Sequence, residues 1–134
     1  MAATNVTVNL SDTYTPPGAP ANSGTATYQV IATCAAQNVG QIDINPSDAP
    51  ATVIGIPFGS VGSLKVLILK NLGTVDVGVR LNAVVADNFR LPPGGELVWA
   101  APVAAGGTQI TAVNISVITS PMSAEFIQYQ CHGD

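Results

Sequence analysis

The sequence predicts an all-β protein folded as a single β-sandwich of about eight strands. Val, Ile and Thr together supply 38 of its 134 residues, and β-branched residues favour strands over helices. Thirteen Gly and ten Pro are spread along the chain at intervals that suit turns between short strands. Nowhere do ten consecutive residues carry an apolar period of 3.6. The length is that of one domain.

The chain opens with a short strand and a flexible tract. Val6, Val8 and Leu10 alternate with polar residues, which predicts a strand with one apolar face. A tract with three Pro and two Gly then runs to Gly24, a composition typical of a linker. Residues 1–24 are therefore predicted to form an extended N-terminal arm that can reach a neighbouring subunit.

The sandwich is predicted to span residues 25–134. Residues 64–70 are apolar on both faces, which indicates a central strand covered on both sides. Two prolines and two glycines at 92–95 predict a rigid bend. Strand order stays open, because jelly-roll and immunoglobulin-like sandwiches share local patterns. The predicted segments are 25–36, 41–45, 51–56, 64–70, 75–81, 89–91, 96–99, 109–119 and 124–131.

The low charge of the chain excludes some partners. Only 9% of residues are charged, against about 25% in an ordinary soluble domain, so much of the surface must be neutral and is expected to be covered in service. Four basic residues cannot form the positive surface that nucleic-acid binding needs. The most apolar stretch, 64–72, is too short and too interrupted to span a membrane. The first five residues lack the pattern of a secretory leader.

The sequence offers little for catalysis or metal binding. Cys34 and Cys131 fit free buried thiols somewhat better than one disulfide. Cys34 and His132 could be imagined as a metal or Cys–His pair, but a metal site needs three or four ligands and a catalytic pair needs a rigid base. The eight carboxylates are scattered along the chain. We therefore expect no catalytic residue, no metal and no cofactor.

Two aromatic residues allow more than one interpretation. Trp99 fits a core side chain better than a sugar-stacking platform, because no second Trp extends the platform. Tyr14 lies in the arm and is a candidate anchor on a neighbouring subunit. Pro16 and Pro17, directly after it, would stiffen the arm and lower the entropy lost on binding.

Three segments carry a resemblance to a known class of proteins. They are LKVLILKNLGTVDVGVRL at 64–81, FRLPPGGELVW at 89–99 and AEFIQYQ at 124–130. Their strand and turn pattern resembles the small jelly-roll structural proteins of tailed bacteriophage virions. The resemblance covers about the last two-thirds of the chain and rests on hairpin and turn chemistry. It makes a jelly-roll the preferred form of the sandwich.

Within that class the chain looks most like a capsid decoration, or cement, protein. The resemblance implies a non-enzymatic homotrimer on the outer surface of the virion capsid, made in the host cytoplasm, that bridges major capsid protein subunits. Two alternatives remain open: a carbohydrate-binding β-sandwich module, and a tail or head–tail connector subunit. The candidate residues for the subunit or capsid interface are Val6, Val8, Leu10, Tyr14, Pro16 and Pro17.

Overall fold

A computed structural model describes residues 2–14, 17–18, 21, 23–82, 85–101 and 109–134, with the backbone alone at Asp12 and Tyr14. These residues contain ten strands and no helical element. The all-β prediction is confirmed, but ten strands exceed the eight or so that were expected. The strands are β1 (Thr4–Tyr14), β2 (Gly24–Cys34), β3 (Ala36–Ile44), β4 (Val53–Gly55), β5 (Leu64–Asn71), β6 (Val77–Leu81), β7 (Phe89–Leu91), β8 (Glu96–Ala100), β9 (Val113–Val117) and β10 (Glu125–Gly133).

Eight of these strands form two four-stranded antiparallel sheets. Their orders are β3-β10-β5-β8 and β4-β9-β6-β7. The pairs β3–β10, β4–β9, β5–β8 and β6–β7 are nested, so that the first strand of the eight pairs with the last and the middle two pair with each other. Further contacts, β10–β5 and β9–β6, join these pairs into sheets.

The two sheets enclose one apolar core, which makes the eight-strand body sandwich-like. Leu67, Leu69 and Ile127 point inward from one sheet, while Val79 and Ile115 point inward from the other, and each is fully buried. Burying a side chain of this size stabilises the fold by about 1.5–3 kcal/mol. Alternation along each strand explains the arrangement, because successive side chains face opposite sides of a sheet.

Asn71 secures the turn at the end of β5. Its buried side-chain amide donates to the carbonyls of Val75 (2.9 Å) and Leu91 (3.0 Å), and its side-chain oxygen accepts from the amide of Gly73 (2.9 Å). These bonds satisfy a polar group that would be costly to bury alone. The side chain of Asn71 therefore holds the turn that follows Lys70 in the segment 64–81.

Glu125 holds the same turn from β10. Its carboxylate accepts from the backbone amides of Thr74 (2.9 Å) and Val75 (3.3 Å) and from the Thr74 hydroxyl. Burial alone would raise the pKa of this carboxyl, but the hydrogen bonds from Thr74 and Val75 favour the charged form and lower its pKa on balance. Glu125 is thus a structural carboxylate.

The predicted bend between β7 and β8 is a tight turn. The amide of Gly95 donates to the carbonyl of Pro92 (2.8 Å), and Gly94 adopts a φ of 70°. A proline at the second position and a glycine with positive φ at the third are the residues that a type II turn requires. The bend brings β8 back beside β5 in the same sheet.

β1 and β2 make a third, two-stranded sheet. Residues 25–34, which the sequence assigned to the sandwich, instead pair with residues 4–13 of the N-terminal segment. The strand expected at 6–10 runs on to Tyr14, into the tract expected to be a linker. Among the described residues, none belongs to a helix long and apolar enough to cross a membrane.

Candidate functional site

The candidate site is the antiparallel ribbon formed by β1 and β2. Eleven consecutive pairs join the strands, from Thr4 opposite Cys34 to Tyr14 opposite Gly24. At about 3.4 Å per residue the ribbon is about 35 Å long. We call residues 4–8 and 30–34 its inner half, and residues 9–14 and 24–29 its outer half.

The two faces of the ribbon differ sharply in chemistry. One, the polar face, carries cross-strand hydrogen bonds between side chains, which stabilise strand pairs by a few tenths of a kcal/mol or more. The other, the apolar face, carries mostly aliphatic and aromatic side chains. The polar-face bonds are Thr33 to Asn5 (3.0 Å), Gln29 to Asn9 (2.9 Å) and Thr13 with Thr25 (3.2 Å). The described apolar-face residues include Val6, Val8, Leu10, Ala26, Tyr28, Val30, Ala32 and Cys34.

The inner half packs its apolar face on the sheet β3-β10-β5-β8, which we call the ribbon-side sheet. Val8, Ala32 and Cys34 form a buried cluster with Val66 of β5, and Ile68 of β5 packs against this cluster. Val66 and Ile68 lie on the surface of the sheet that faces away from the main core. The inner half therefore covers one end of this outer surface.

Polar contacts fix the base of the ribbon. The amide of Ala35 donates to the carbonyl of Gly133 (2.8 Å), and the ammonium of Lys65 donates to the carbonyl of Thr33 (2.7 Å). The same ammonium pairs with the Asp134 carboxylate at 2.6 Å. These contacts tie the base of the ribbon to β5 and to the end of β10.

The outer half has no such cover. Every residue whose exposure is described from 9 to 13 and from 24 to 29 is exposed. Leu10 and Tyr28, which face each other across the ribbon, keep 48% and 63% of their surface in solvent. The apolar face thus continues beyond the body of the protein as an open surface, and such surfaces mark interaction sites.

The structure distributes the predicted interface residues over both halves. Val6 and Val8 pack at the base, whereas Leu10 is open to solvent. Pro17 lies exposed in the turn that joins the strands. The side chain of Tyr14 and all of Pro16 lie outside the described residues. Val6, Val8 and Leu10 sit on a strand paired within the chain, beside its own β2.

Tyr28 and Val30 are site residues that the sequence interpretation placed elsewhere. Both lie in the segment 25–36, which the sequence predicts as a strand of the sandwich. The usable signal was the pair of alternating segments on either side of a Pro- and Gly-rich tract, which is a hairpin pattern with a long turn. Tyr28 belongs to the candidate surface by register with Leu10.

The two cysteines lie on opposite sides of the ribbon-side sheet and are free thiols. Cys34 belongs to the ribbon cluster and Cys131 to the main core. Burial raises the pKa of Cys131 to about 11 and also raises that of Cys34. Both are therefore protonated and poorly nucleophilic at neutral pH.

His132 lies under the inner half of the ribbon. It is 8% exposed, its Nδ1 is buried without a hydrogen-bond partner, and its Nε2 lies 3.4 Å from the side-chain oxygen of Gln130. Burial lowers its pKa. A cavity of about 130 Å³ borders it, with Thr4, Cys34 and Gln37 in the lining. Across the described ranges, no three His, Cys, Asp or Glu side chains converge as a metal ligand set would.

Two further pairs of charged side chains form ion pairs within the sandwich-like body. Arg80 binds Asp87 at 2.7 Å, and Ser116 donates to the same carboxylate at 2.6 Å. The hydrogen bonds from Arg80 and Ser116 lower the pKa of Asp87. Arg90 lies 3.0 Å from Asp76. Trp99 faces inward and packs half-buried against the main core, as expected of a core side chain and not of a sugar platform.

Comparison of the chain with protein-family models, with curated proteins and with solved structures finds no match. The physical features of the ribbon and of the sandwich-like body therefore carry the functional argument.

Proposed function

We propose that this chain is a non-enzymatic structural protein of a tailed-phage virion. In this proposal it is a capsid decoration protein that binds the outer surface of the shell as a homotrimer and bridges major capsid protein subunits. Its working place is the capsid surface, and its place of synthesis is the host cytoplasm. The resemblance of three strand and turn segments supports the class of protein, and the ribbon supports a role in contact with neighbours.

The observation that carries the proposal is the open outer half of the ribbon. Tyr28 is 63% exposed and lies beside the exposed Leu10. A neighbouring subunit that covers both side chains removes apolar surface from water, which is favourable. A projecting ribbon also reaches a neighbour without moving the body. Both features suit a protein whose work is to join subunits.

The mechanism is the addition of buried area between subunits. A protein that binds the assembled shell and not the separated subunits stabilises the shell by mass action. When several copies are linked, their weak contacts act together, and the apparent affinity for the shell exceeds that of any single contact. Low charge helps, because broad contacts then bury few charged groups. Three of the four basic residues already have acidic partners within the chain: Lys65 with Asp134, Arg80 with Asp87, and Arg90 with Asp76.

We further propose that the sandwich-like body is a jelly roll. The nested pairing of β3–β10, β4–β9, β5–β8 and β6–β7 supports this assignment. It is the pairing that results when one long antiparallel hairpin is rolled so that its strands are shared between two sheets. Jelly rolls are common in viral capsid proteins.

The proposal is tested by capsid binding. Capsids assembled from the major capsid protein of the genome that encodes this chain are incubated with it and sedimented. We expect the chain to sediment in a fixed ratio to the capsid protein and to raise the temperature at which the shell disassembles. A chain that stays in the supernatant, or that binds without changing shell stability, contradicts the proposal.

A matched pair of variants sharpens this test. Tyr28→Lys changes the open apolar face of the ribbon, whereas Ile31→Lys changes the polar face at a residue of similar exposure, 51%. Loss of multivalent binding weakens apparent affinity by about 100-fold or more. We expect that loss for Tyr28→Lys and wild-type binding for Ile31→Lys. Equal binding by both variants would remove the ribbon from the mechanism.

A further inference from the structure

We propose that the outer half of the ribbon packs on the ribbon-side sheet of a second copy of this chain. The surface that receives it is the row Val39, Gln130, Ile68 and Val98, which we call the open row. The inference gives the surface for the self-association part of the proposed function. It does not depend on capsid binding, so the two can fail separately.

The donor surface is continuous with a contact that already exists. Leu10 follows Val8 on the apolar face, and Tyr28 precedes Val30 on the same face. Val8 is 9% exposed because it packs at the base, whereas Leu10 is 48% exposed. The same apolar face is therefore covered along one half of the ribbon and bare along the other.

The receiving surface is likewise half covered. Register places Val39 beside Gln130, Gln130 beside Ile68, and Ile68 beside Val98, so the open row crosses all four strands. Val39 and Val98 are 52% and 37% exposed. Gln130 and Ile68 are half-buried, and Ile68 packs against the ribbon cluster of its own chain, so the row begins directly beside the surface that the inner half covers.

The occupant is a second copy because these two surfaces already fit each other. Within one chain the apolar face of the ribbon packs on the outer surface of this sheet, through Val8 and Ala32 on Val66. The bare half of the ribbon offers the apolar pair Leu10 and Tyr28, and the open row offers three aliphatic side chains beside Gln130. The pair and the row carry no formal charge, whereas the register places Asp12 next after Leu10 on the ribbon and Lys70 beside Glu96 in the following row of the sheet.

The geometry of the contact sets the kind of assembly. The ribbon of one copy meets the sheet of the next, so the two sides of the contact are different surfaces. Contacts of this type form a ring where the rotation between copies closes and an open filament where it does not; of these, a ring of three is the form that matches the proposed homotrimer. Each chain then donates one ribbon and receives another.

The test is the mass of the protein in solution, measured by light scattering from about 1 to about 100 µM. The ribbon variant carries Leu10→Lys and Tyr28→Lys, and the row variant carries Val39→Lys and Val98→Lys. The matched controls are Ile31→Lys on the polar face of the ribbon and Val53→Lys on the other sheet, with exposures of 51% and 45%. We expect a trimer for wild type and for both controls, and monomers for the ribbon and row variants.

Mixing supplies the decisive comparison. The ribbon variant keeps an intact open row, and the row variant keeps an intact ribbon, so an equal mixture should form a heterodimer of twice the 13.6 kDa chain mass. A monomeric wild type at the highest concentration would overturn the inference. So would an unchanged trimer in either variant, or a mixture that stays monomeric.

Two further measurements keep these outcomes interpretable. Thermal unfolding checks that each variant is folded, and Val39→Thr with Val98→Thr provides a row variant that keeps β-branched side chains in the strands. We expect this milder pair to weaken self-association by about tenfold or more, and wild-type association would contradict the inference. Sedimentation of the wild-type chain with capsids then reports on the proposed function separately, because it requires neither the ribbon variant nor the row variant.

Discussion

The sandwich-like body and the ribbon are stabilised on very different scales. Among the described residues, sixteen buried apolar side chains from the two sheets and their connecting loops form the core of the body, whereas four form the cluster at the base of the ribbon. Beyond that cluster the ribbon is a two-stranded hairpin, and isolated hairpins are marginally stable in water. The body has the contacts that a domain needs to fold alone. The outer ribbon lacks them, and it is therefore the part of the molecule that gains most from a partner.

The largest expected effect is a loss of stability in the sandwich-like body. Ile127 is fully buried between the sheets, and Ile127→Ala should lower the free energy of unfolding by about 2–5 kcal/mol because it leaves a cavity. Leu10→Ala, at an exposed site on the ribbon, should change it by less than about 0.5 kcal/mol in the monomer. Urea unfolding at low protein concentration measures both. Similar losses for the two variants would contradict the difference between the regions.

The next effect concerns the turn that Asn71 holds. Asn71→Ala removes three hydrogen bonds and leaves the carbonyls of Val75 and Leu91 and the amide of Gly73 without this partner. The expected loss is about 2–3 kcal/mol in the free energy of unfolding. Asn88→Ala is a useful control, since the Asn88 side-chain oxygen also accepts from a backbone amide, that of Leu81 at 2.8 Å, but at an exposed place. An Asn71 variant as stable as that control would show that the turn tolerates the change.

A smaller effect should fall on the ribbon alone. Val8→Ala removes two methyl groups from the four-residue cluster at the base, worth about 1–2 kcal/mol. Because the main core is untouched, hydrogen exchange should become faster at residues 4–14 and 24–34 while residues 125–133 keep their rates. Thr7→Ala, on the polar face, is the control. Faster exchange in both regions would mean that ribbon and body open together.

The smallest effect is a pH dependence at the contact between the regions. The ring of His132 is buried under the ribbon, beside Gln37 and Val66 in register and with Lys65 and Asp134 at the ribbon base. Burial lowers its pKa below the usual 6.5, so below pH 6.5 the unfolded chain binds a proton that the folded chain does not. Stability should therefore be full above pH 6.5 and fall as the pH drops towards the folded pKa.

Comparison of wild type with His132→Gln isolates this contribution. Free energies of unfolding are measured at about pH 7.5 and pH 5.5. Wild type should lose more stability than the variant between these values, because the variant has no imidazole to protonate. Equal losses would contradict a buried neutral histidine beneath the ribbon.

The sequence predicts most strands and the side to which their side chains point, but it does not predict which strands pair. The run at 64–70, which is apolar on both faces, and the segment at 124–131 predict β5 and β10 closely. The alternation of Tyr28, Val30, Ala32 and Cys34 is equally clear, yet the strand pairs with β1 and not with the sandwich sheets. Local patterning fixes the side to which a side chain points, whereas pairing depends on contacts between residues far apart in the chain.

The candidate site shows the same division. Val6, Val8 and Leu10 follow from their own alternation, while Tyr28 and the open row become part of the site only through register between strands. Val39, Ile68 and Val98 lie in one row of the sheet but come from three separate strands, and no spacing in the sequence connects them.

The most direct measurement of the central claim is hydrogen exchange of the wild-type protein at low and at high concentration. If the outer ribbon is completed by a second copy, residues 24–29 and the segments around Val39 and Val98 should exchange at least about tenfold more slowly at high concentration. Residues 113–117, inside the body, should keep the same rate. Exchange in the outer ribbon and the open row that does not change with concentration would contradict the account.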